Sequence, residues 1–149
     1  MFRKRRQRTP HGSYSCAILK SMTQEKAVSH WQKRSRAELK TARVIFEQND
    51  PELYGEVLFH CHLALELALK AKYIGKYHAP APYSHDLNEL AAALEESWSG
   101  KERIAFEELT DYAILARYGD EQWFTSHATK EKAKEWLQKT QQFLSKIQQ

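Results

Sequence analysis

The sequence contains few of the residues that make turns, and few cysteines. Its 149 residues include five glycines, four prolines and two cysteines. Sandwiches and barrels need turn residues at short intervals, so the scarcity of Gly and Pro favours long helices. Cys16 and Cys61 form neither a disulfide framework nor a metal-binding motif. We therefore predict a protein of the reducing cytoplasm, without a metal or a cofactor.

Long apolar runs are also missing. No stretch approaches the roughly 18 apolar residues that a membrane-spanning helix needs. Residues 13–19 are too few and too mixed to form the apolar part of a secretory signal. The sequence therefore predicts no membrane partner.

Acidic residues are absent from the first 21 positions. These positions hold six of the 23 basic residues, which leaves 17 basic and 19 acidic residues, a balance of −2, for the rest. We predict a disordered basic leader over residues 1–21, with Met22 as an alternative natural start. A basic arm can bind nucleic acid, whereas the overall charge of residues 22–149 offers no such argument.

Helical periodicity dominates the remainder of the chain. Apolar residues recur at intervals of three and four over residues 23–48, 51–76, 85–98, 102–116 and 128–147, with residues 117–126 predicted as a loop. The second segment is apolar on nearly all sides between positions 57 and 74, which is typical of a helix at the centre of a bundle. We predict an all-α, up-and-down bundle of about five helices over residues 22–149.

The central helix carries one line of polar residues. His62, Glu66 and Lys70 follow one another at i, i+4 and i+8. A buried carboxylate needs a partner, because an unpaired buried charge is strongly destabilising. Glu66 and Lys70 are predicted to pair, either in a core cluster that fixes helix register or in a polar cleft that binds a phosphate or a partner's residue.

His60 and His62 flank Cys61, but this group does not predict a metal site. Residues two apart on an α-helix point in directions that differ by about 160°. The two imidazoles therefore cannot share one ion, and we interpret them as ordinary helix histidines.

Arg117, Tyr118 and Asp120 lie where the fourth predicted helix gives way to a loop. The guanidinium group suits a bidentate grip on carboxylate or phosphate, although an Arg in a last turn also complements the helix dipole. His85, beside a capping Ser84, is either a residue that holds the helix start or a cleft residue that titrates near neutrality.

Trp123 and Phe124 lie in the same predicted loop, outside any clear apolar stripe. They either cover one end of the bundle or contact a second subunit, where aromatic residues concentrate.

Three pieces of the sequence together resemble the HEPN domain family, whose name stands for "higher eukaryotes and prokaryotes nucleotide-binding". They are residues 59–71, Ser84-His85-Asp86-Leu87 and Ala116-Arg117-Tyr118, and the resemblance extends over residues 22–149. It implies a helical bundle, commonly a homodimer, that binds a nucleotide or RNA. Many such domains are encoded beside a minimal nucleotidyltransferase as a toxin–antitoxin pair. Some are metal-independent ribonucleases in which an Arg is followed, after four to six residues, by a His near the dimer cleft.

The chain departs from that nuclease motif. The positions where a His would follow Arg117 hold Gln122, Trp123 and Phe124, and the nearest candidate is His127. We therefore interpret the protein as a non-catalytic or degenerate toxin–antitoxin module that dimerises and pairs with a nucleotidyltransferase. The alternative is a ribonuclease in which Arg117 acts with His127 or His85 across the dimer cleft.

Overall fold

The computed structural model describes residues 23–149, so the predicted leader lies outside the described residues. Within them the chain forms six α-helices and a 3₁₀ turn, Pro51–Leu53, that leads into the second helix. The helices are α1 Gln24–Glu47, α2 Tyr54–Tyr77, α3 Leu87–Ala93, α4 Gly100–Tyr118, α5 Glu121–His127 and α6 Lys130–Ile147. The prediction of an all-α bundle is confirmed, with one helix more than expected.

Helices α1 and α2 form an antiparallel hairpin. The Gln24 side chain at the start of α1 donates to the Ile74 carbonyl near the end of α2, at 3.3 Å. Midway along both helices, Ser35 Oγ donates to the Ala64 carbonyl at 2.7 Å, and Ser35 is fully buried. The two helices are therefore in contact along their whole length.

Helix α2 occupies the centre of the bundle, as its apolar sequence predicts. It packs against α1, α3, α4 and α6. Its side chains Leu58, Leu65 and Leu69 are completely buried. Each such side chain contributes about 1.5–3 kcal/mol by leaving water. The largest fully buried side chains from the neighbouring helices are Trp136, Phe106, Leu87, Leu90 and Leu109.

The prediction of a loop over residues 117–126 is wrong, because α4 continues to Tyr118 and α5 begins at Glu121. The Asp120 side chain accepts a hydrogen bond from the Trp123 amide at 2.8 Å and so caps the helix. Trp123 is buried and packs edge-on against Tyr112, while Phe124 lies against Gly55. These aromatic residues cover one end of the bundle, and seven residues are too few to display a helical stripe.

The third predicted helix, 85–98, is shorter than expected. Helix α3 has seven residues and is followed by Glu95, which has a left-handed φ of 54°. The chain then folds back, so that Trp98 Nε1 donates to the Ala91 carbonyl at 3.2 Å. Ser99 and Glu102 form a capping box that begins α4 at Gly100, two residues earlier than predicted.

The two helix histidines lie on different sides of α2. His60 Nδ1 donates to Glu38 of α1 at 2.6 Å, whereas His62 Nε2 donates to the His85 carbonyl before α3 at 2.8 Å. Among residues 23–149, no group of three or more His, Cys, Asp or Glu side chains is arranged to hold a metal ion. None of the helices in the described range is long and apolar enough to cross a bilayer.

Candidate binding cleft

A cleft of about 570 Å³ opens between α2, α4 and the segment that begins α3. Its wall combines apolar and ionisable side chains: Phe59, His62, Leu63, Glu66, Ser84, His85, Asp86, Glu89, Thr110, Ala113, Ile114, Arg117 and Tyr118. Clefts of this size, with apolar walls and a few convergent polar groups, are typical of ligand sites.

A short capping network shapes the wall at the start of α3. The Asp86 carboxylate accepts from the amides of Asn88 and Glu89, at 2.8 and 3.2 Å, and begins the helix. Ser84 Oγ accepts from the Asp86 amide at 3.0 Å and donates to the Glu89 carboxylate at 2.6 Å. His85 lies between Ser84 and Asp86 in the chain, and these hydrogen bonds hold it facing α2.

Glu66 is the hub of the cleft floor. Its Oε1 atom accepts from Lys70 Nζ at 2.8 Å and from His85 Nδ1 at 3.0 Å. Its side chain is only 5% exposed, whereas the His85 side chain is 75% exposed. A buried carboxylate is thus joined to a surface imidazole and to a half-buried ammonium group from the next turn.

His62 lies beside Glu66 and is equally buried. Burial lowers the pKa of His62 below its ordinary value of 6.5, and this effect outweighs the opposing effect of the Glu66 carboxylate. The ring is therefore neutral at pH 7. Because Nε2 carries the proton donated to the His85 carbonyl, Nδ1 presents a lone pair. That lone pair lies 3.8 Å from Glu66 Oε2, and neither atom has a hydrogen-bond partner among the described residues.

Arg117 lies at the mouth of the cleft and is already engaged. Its guanidinium group donates to Glu56 Oε1 at 3.1 Å and lies over the Phe59 ring, 3.7 Å from the centroid. The neighbouring Tyr118 is 85% exposed.

The structure brings some of the sequence-derived candidates together and separates others. Glu66, His85, Arg117 and Tyr118 line the cleft, and Lys70 lies behind Glu66. Asp120 caps α5 outside the cleft.

His127 also lies away from the cleft. Its ring stacks on Trp123 at 5.9 Å between centroids, with an interplanar angle of 11°.

Sequence reasoning missed His62 and Phe59 as site residues, and missed Glu56 as the partner of Arg117. The i, i+4 relation of His62 to Glu66 was a usable signal, since such residues share a helix face. No local signal connects Glu56 to Arg117, because the two are 61 positions apart.

Fold and cleft define a small helical-bundle domain with an open, polar-floored cleft beside its central helix. The family model described as "HEPN domain" matches residues 28–149, and the chain belongs to the HEPN domain family.

A solved structure described as TT1696 from Thermus thermophilus is similar in fold. It is 24% identical, has a TM-score of 0.69, and is matched over 81% of this chain and 95% of that chain. A search of curated proteins finds no significant match.

Proposed function

We propose that this HEPN protein is a binding module without ribonuclease activity of its own, which dimerises and pairs with a minimal nucleotidyltransferase as toxin or antitoxin. The observation that carries the proposal is that Arg117 is already engaged and that His127, the nearest His after it in sequence, lies outside the cleft. Arg117 is held by Glu56 and Phe59, while His127 stacks on Trp123 outside the cleft.

Exposed apolar residues at the cleft support association with another chain. Ile114 is 55% and Tyr118 85% exposed, and both line the cleft mouth. Tyr83, adjacent to the cleft residue Ser84, is fully exposed. Clustered aromatic and aliphatic side chains of this kind mark interaction surfaces. Burial raises the pKa of the Cys61 thiol to about 12, so this thiol is unreactive. An unreactive free thiol agrees with the proposed cytoplasmic location.

Light scattering after size exclusion tests the association. The wild-type chain is expected to elute with the mass of a dimer, and to form a larger complex with its nucleotidyltransferase. The double variant Ile114→Glu/Tyr118→Glu is expected to weaken either the dimer or the complex with the nucleotidyltransferase by at least about tenfold, because it places charge in an apolar interface. Ile104→Glu is the matched control, since Ile104 is 66% exposed on the same helix but outside the cleft. A wild-type monomer that binds no partner contradicts the proposal.

A second candidate function is a ribonuclease, favoured by the fact that Arg117 and His85 line the same cleft. In that reaction the imidazole of His85 takes the 2′-hydroxyl proton and the guanidinium of Arg117 stabilises the charge that develops on the phosphate. Incubation with RNA distinguishes the two candidates. Equal, negligible cleavage by wild type, Arg117→Ala and His85→Ala supports the binding module, whereas cleavage that both substitutions abolish supports the nuclease.

A further inference from the structure

Two buried atoms at the cleft floor require a hydrogen-bond donor. His62 Nδ1 and Glu66 Oε2 are both acceptors, lie 3.8 Å apart and belong to side chains that are each 5% exposed. A buried acceptor that stays unpaired costs about 1–3 kcal/mol. One nitrogen that carries two or more hydrogens can donate to both atoms at once.

The cleft wall has the charge of a cation site. Glu66 is paired with Lys70, whereas Asp86 and Glu89 contribute two carboxylates that have no basic partner among the described residues. Arg117 is the one Lys or Arg in the cleft lining and is paired with Glu56. The surrounding segment, residues 86–121, contains ten acidic and three basic residues, a net charge of −7.

Helices α1 and α6, which contribute no residue to the cleft, have the reverse charge. Helices α1 and α6 together contain eleven basic and five acidic residues, a net charge of +6. Two of the basic residues of α6 pair with α4, Lys146 with Glu102 and Lys132 with Glu108, so part of the acidic excess is compensated there. The remaining acidic excess of residues 86–121 belongs to the segment that lines the cleft.

We infer that the cleft binds an ammonium or guanidinium group, which donates to Glu66 Oε2 and His62 Nδ1. Because neither atom is exposed at the cleft surface, binding includes a small movement of the side chains that cover them. The inference rests on the proposed role of this cleft as a binding site and names the chemistry of its ligand. Apolar side chains such as Phe59, Leu63 and Ile114 cover the aliphatic stem that carries such a group. A phosphate group entering the same space would meet the carboxylates of Asp86 and Glu89, which have no basic partner among the described residues.

The same chemistry has two sources, a free polyamine and the Lys or Arg side chain of another protein. Calorimetric titration of the intact chain with spermidine, with Nα-acetyl-arginine amide and with ATP, at low salt, separates them. At least one of the cations is expected to bind more tightly than ATP. Tighter binding of spermidine assigns the site to a free polyamine, and tighter binding of the arginine derivative assigns it to a protein side chain.

Charge-neutralising variants locate the binding. Glu89→Gln is expected to weaken the tighter cation about fivefold, the usual upper effect of one solvated ion pair. Glu66→Gln is expected to weaken it about tenfold or more, because Glu66 contacts the cation directly. Glu107→Gln removes an exposed carboxylate of α4 outside the cleft and is expected to leave binding unchanged. Should Glu66→Gln fail to fold, the Glu89 and Glu107 variants still decide the question.

Three results would overturn the inference: neither cation binds, ATP binds more tightly than both, or Glu107→Gln weakens binding as much as Glu89→Gln. The titration is read on the isolated chain and is independent of dimer mass, of partner binding and of RNA cleavage. A monomeric chain that still binds a cation through Glu89 would therefore contradict the proposed function and leave this inference standing.

Discussion

The two sides of helix α2 use the same residue types with different results. On the α1 side, the ring of His60 donates to Glu38 at 2.6 Å, and Ser35 donates to the Ala64 carbonyl at 2.7 Å. On the cleft side, His62 and Glu66 are more deeply buried, yet each keeps one atom without a partner.

The difference follows from the length of the neighbouring helices. Helix α1 has 24 residues and runs beside all of α2, whereas α3 has only seven. A long helix closes one side of α2 and forces its polar groups to pair. The short α3 leaves the other side open, which produces the cleft and its unpaired acceptors.

The largest expected effect is on the cleft side, with Glu66→Leu. It leaves the half-buried Lys70 without its counter-charge, so the free energy of unfolding is expected to fall by about 3–5 kcal/mol in urea titrations. Glu38→Leu is expected to cost less, about 1–2 kcal/mol, because it removes the acceptor of the 21% exposed His60 ring, whereas its second partner Arg34 is 53% exposed and hydrates readily.

The double variant Glu66→Leu/Lys70→Leu controls for packing. It removes both charges and is expected to recover most of the loss, since replacing a buried ion pair by apolar residues is often neutral. Equal costs for the Glu66 and Glu38 variants would contradict the distinction between the two sides.

The second largest effect on stability is expected at the end of α4, the helix that places Arg117 at the cleft. A Cβ atom at Gly119 would lie 2.5 Å from the Leu115 carbonyl oxygen and 3.1 Å from the Trp123 ring. Gly119→Ala is therefore expected to lower the free energy of unfolding by about 1–3 kcal/mol, because backbone must shift. Gly100→Ala is the matched control, since a Cβ there meets nothing within 4 Å. Equal unfolding midpoints for the two variants would show that a Cβ atom at position 119 is accommodated without steric strain.

The buried imidazole makes the cleft side sensitive to pH. His62 is faced by the Glu66 carboxylate, the Lys70 ammonium and His85, and its pKa is lowered by burial. The unfolded chain therefore binds a proton near pH 6.5 where the folded chain does not. The stability contributed by the neutral ring is present above pH 6.5 and is lost as the pH falls, by at most about 1.4 kcal/mol per pH unit.

Urea titrations between pH 5 and about pH 8 test this expectation. His62→Gln is expected to flatten the dependence, and His30→Gln, at an exposed position of α1, is expected to preserve it. A flattening of equal size in both variants would assign the dependence to other groups.

The smallest effect is expected at the cleft mouth. The Arg117–Glu56 pair is 41% and 32% exposed, so Arg117→Ala is expected to cost about 1 kcal/mol or less, including its contact with Phe59. A decrease in the free energy of unfolding above about 3 kcal/mol, measured by thermal unfolding, would show that Arg117 makes a major contribution to the stability of the bundle.

The sequence predicts the features that depend on local spacing. Periodicity identifies α2 as the central helix, and the i, i+4 spacing of Glu66 and Lys70 anticipates their hydrogen bond. The left-handed residue Glu95, which delimits α3, carries no sequence signal, because left-handed non-Gly residues are uncommon.

Non-local contacts are equally invisible to spacing arguments. The hydrogen bond from His62 to the His85 carbonyl and the pairing of Arg117 with Glu56 depend on how the helices pack. The uneven charge is different, because the excess of acid over residues 86–121 is already visible along the sequence. What the sequence does not show is that this segment lines the cleft.

Side-chain nitrogen NMR of histidine during titration with Nα-acetyl-arginine amide or spermidine tests the cleft most directly. Donation to the lone pair of His62 Nδ1 is expected to shift that nitrogen resonance upfield, while the His60 signals on the closed side of α2 stay fixed. A His62 resonance that does not respond to either cation, or an equal shift at His60, would contradict the assignment of the cleft as a cation site.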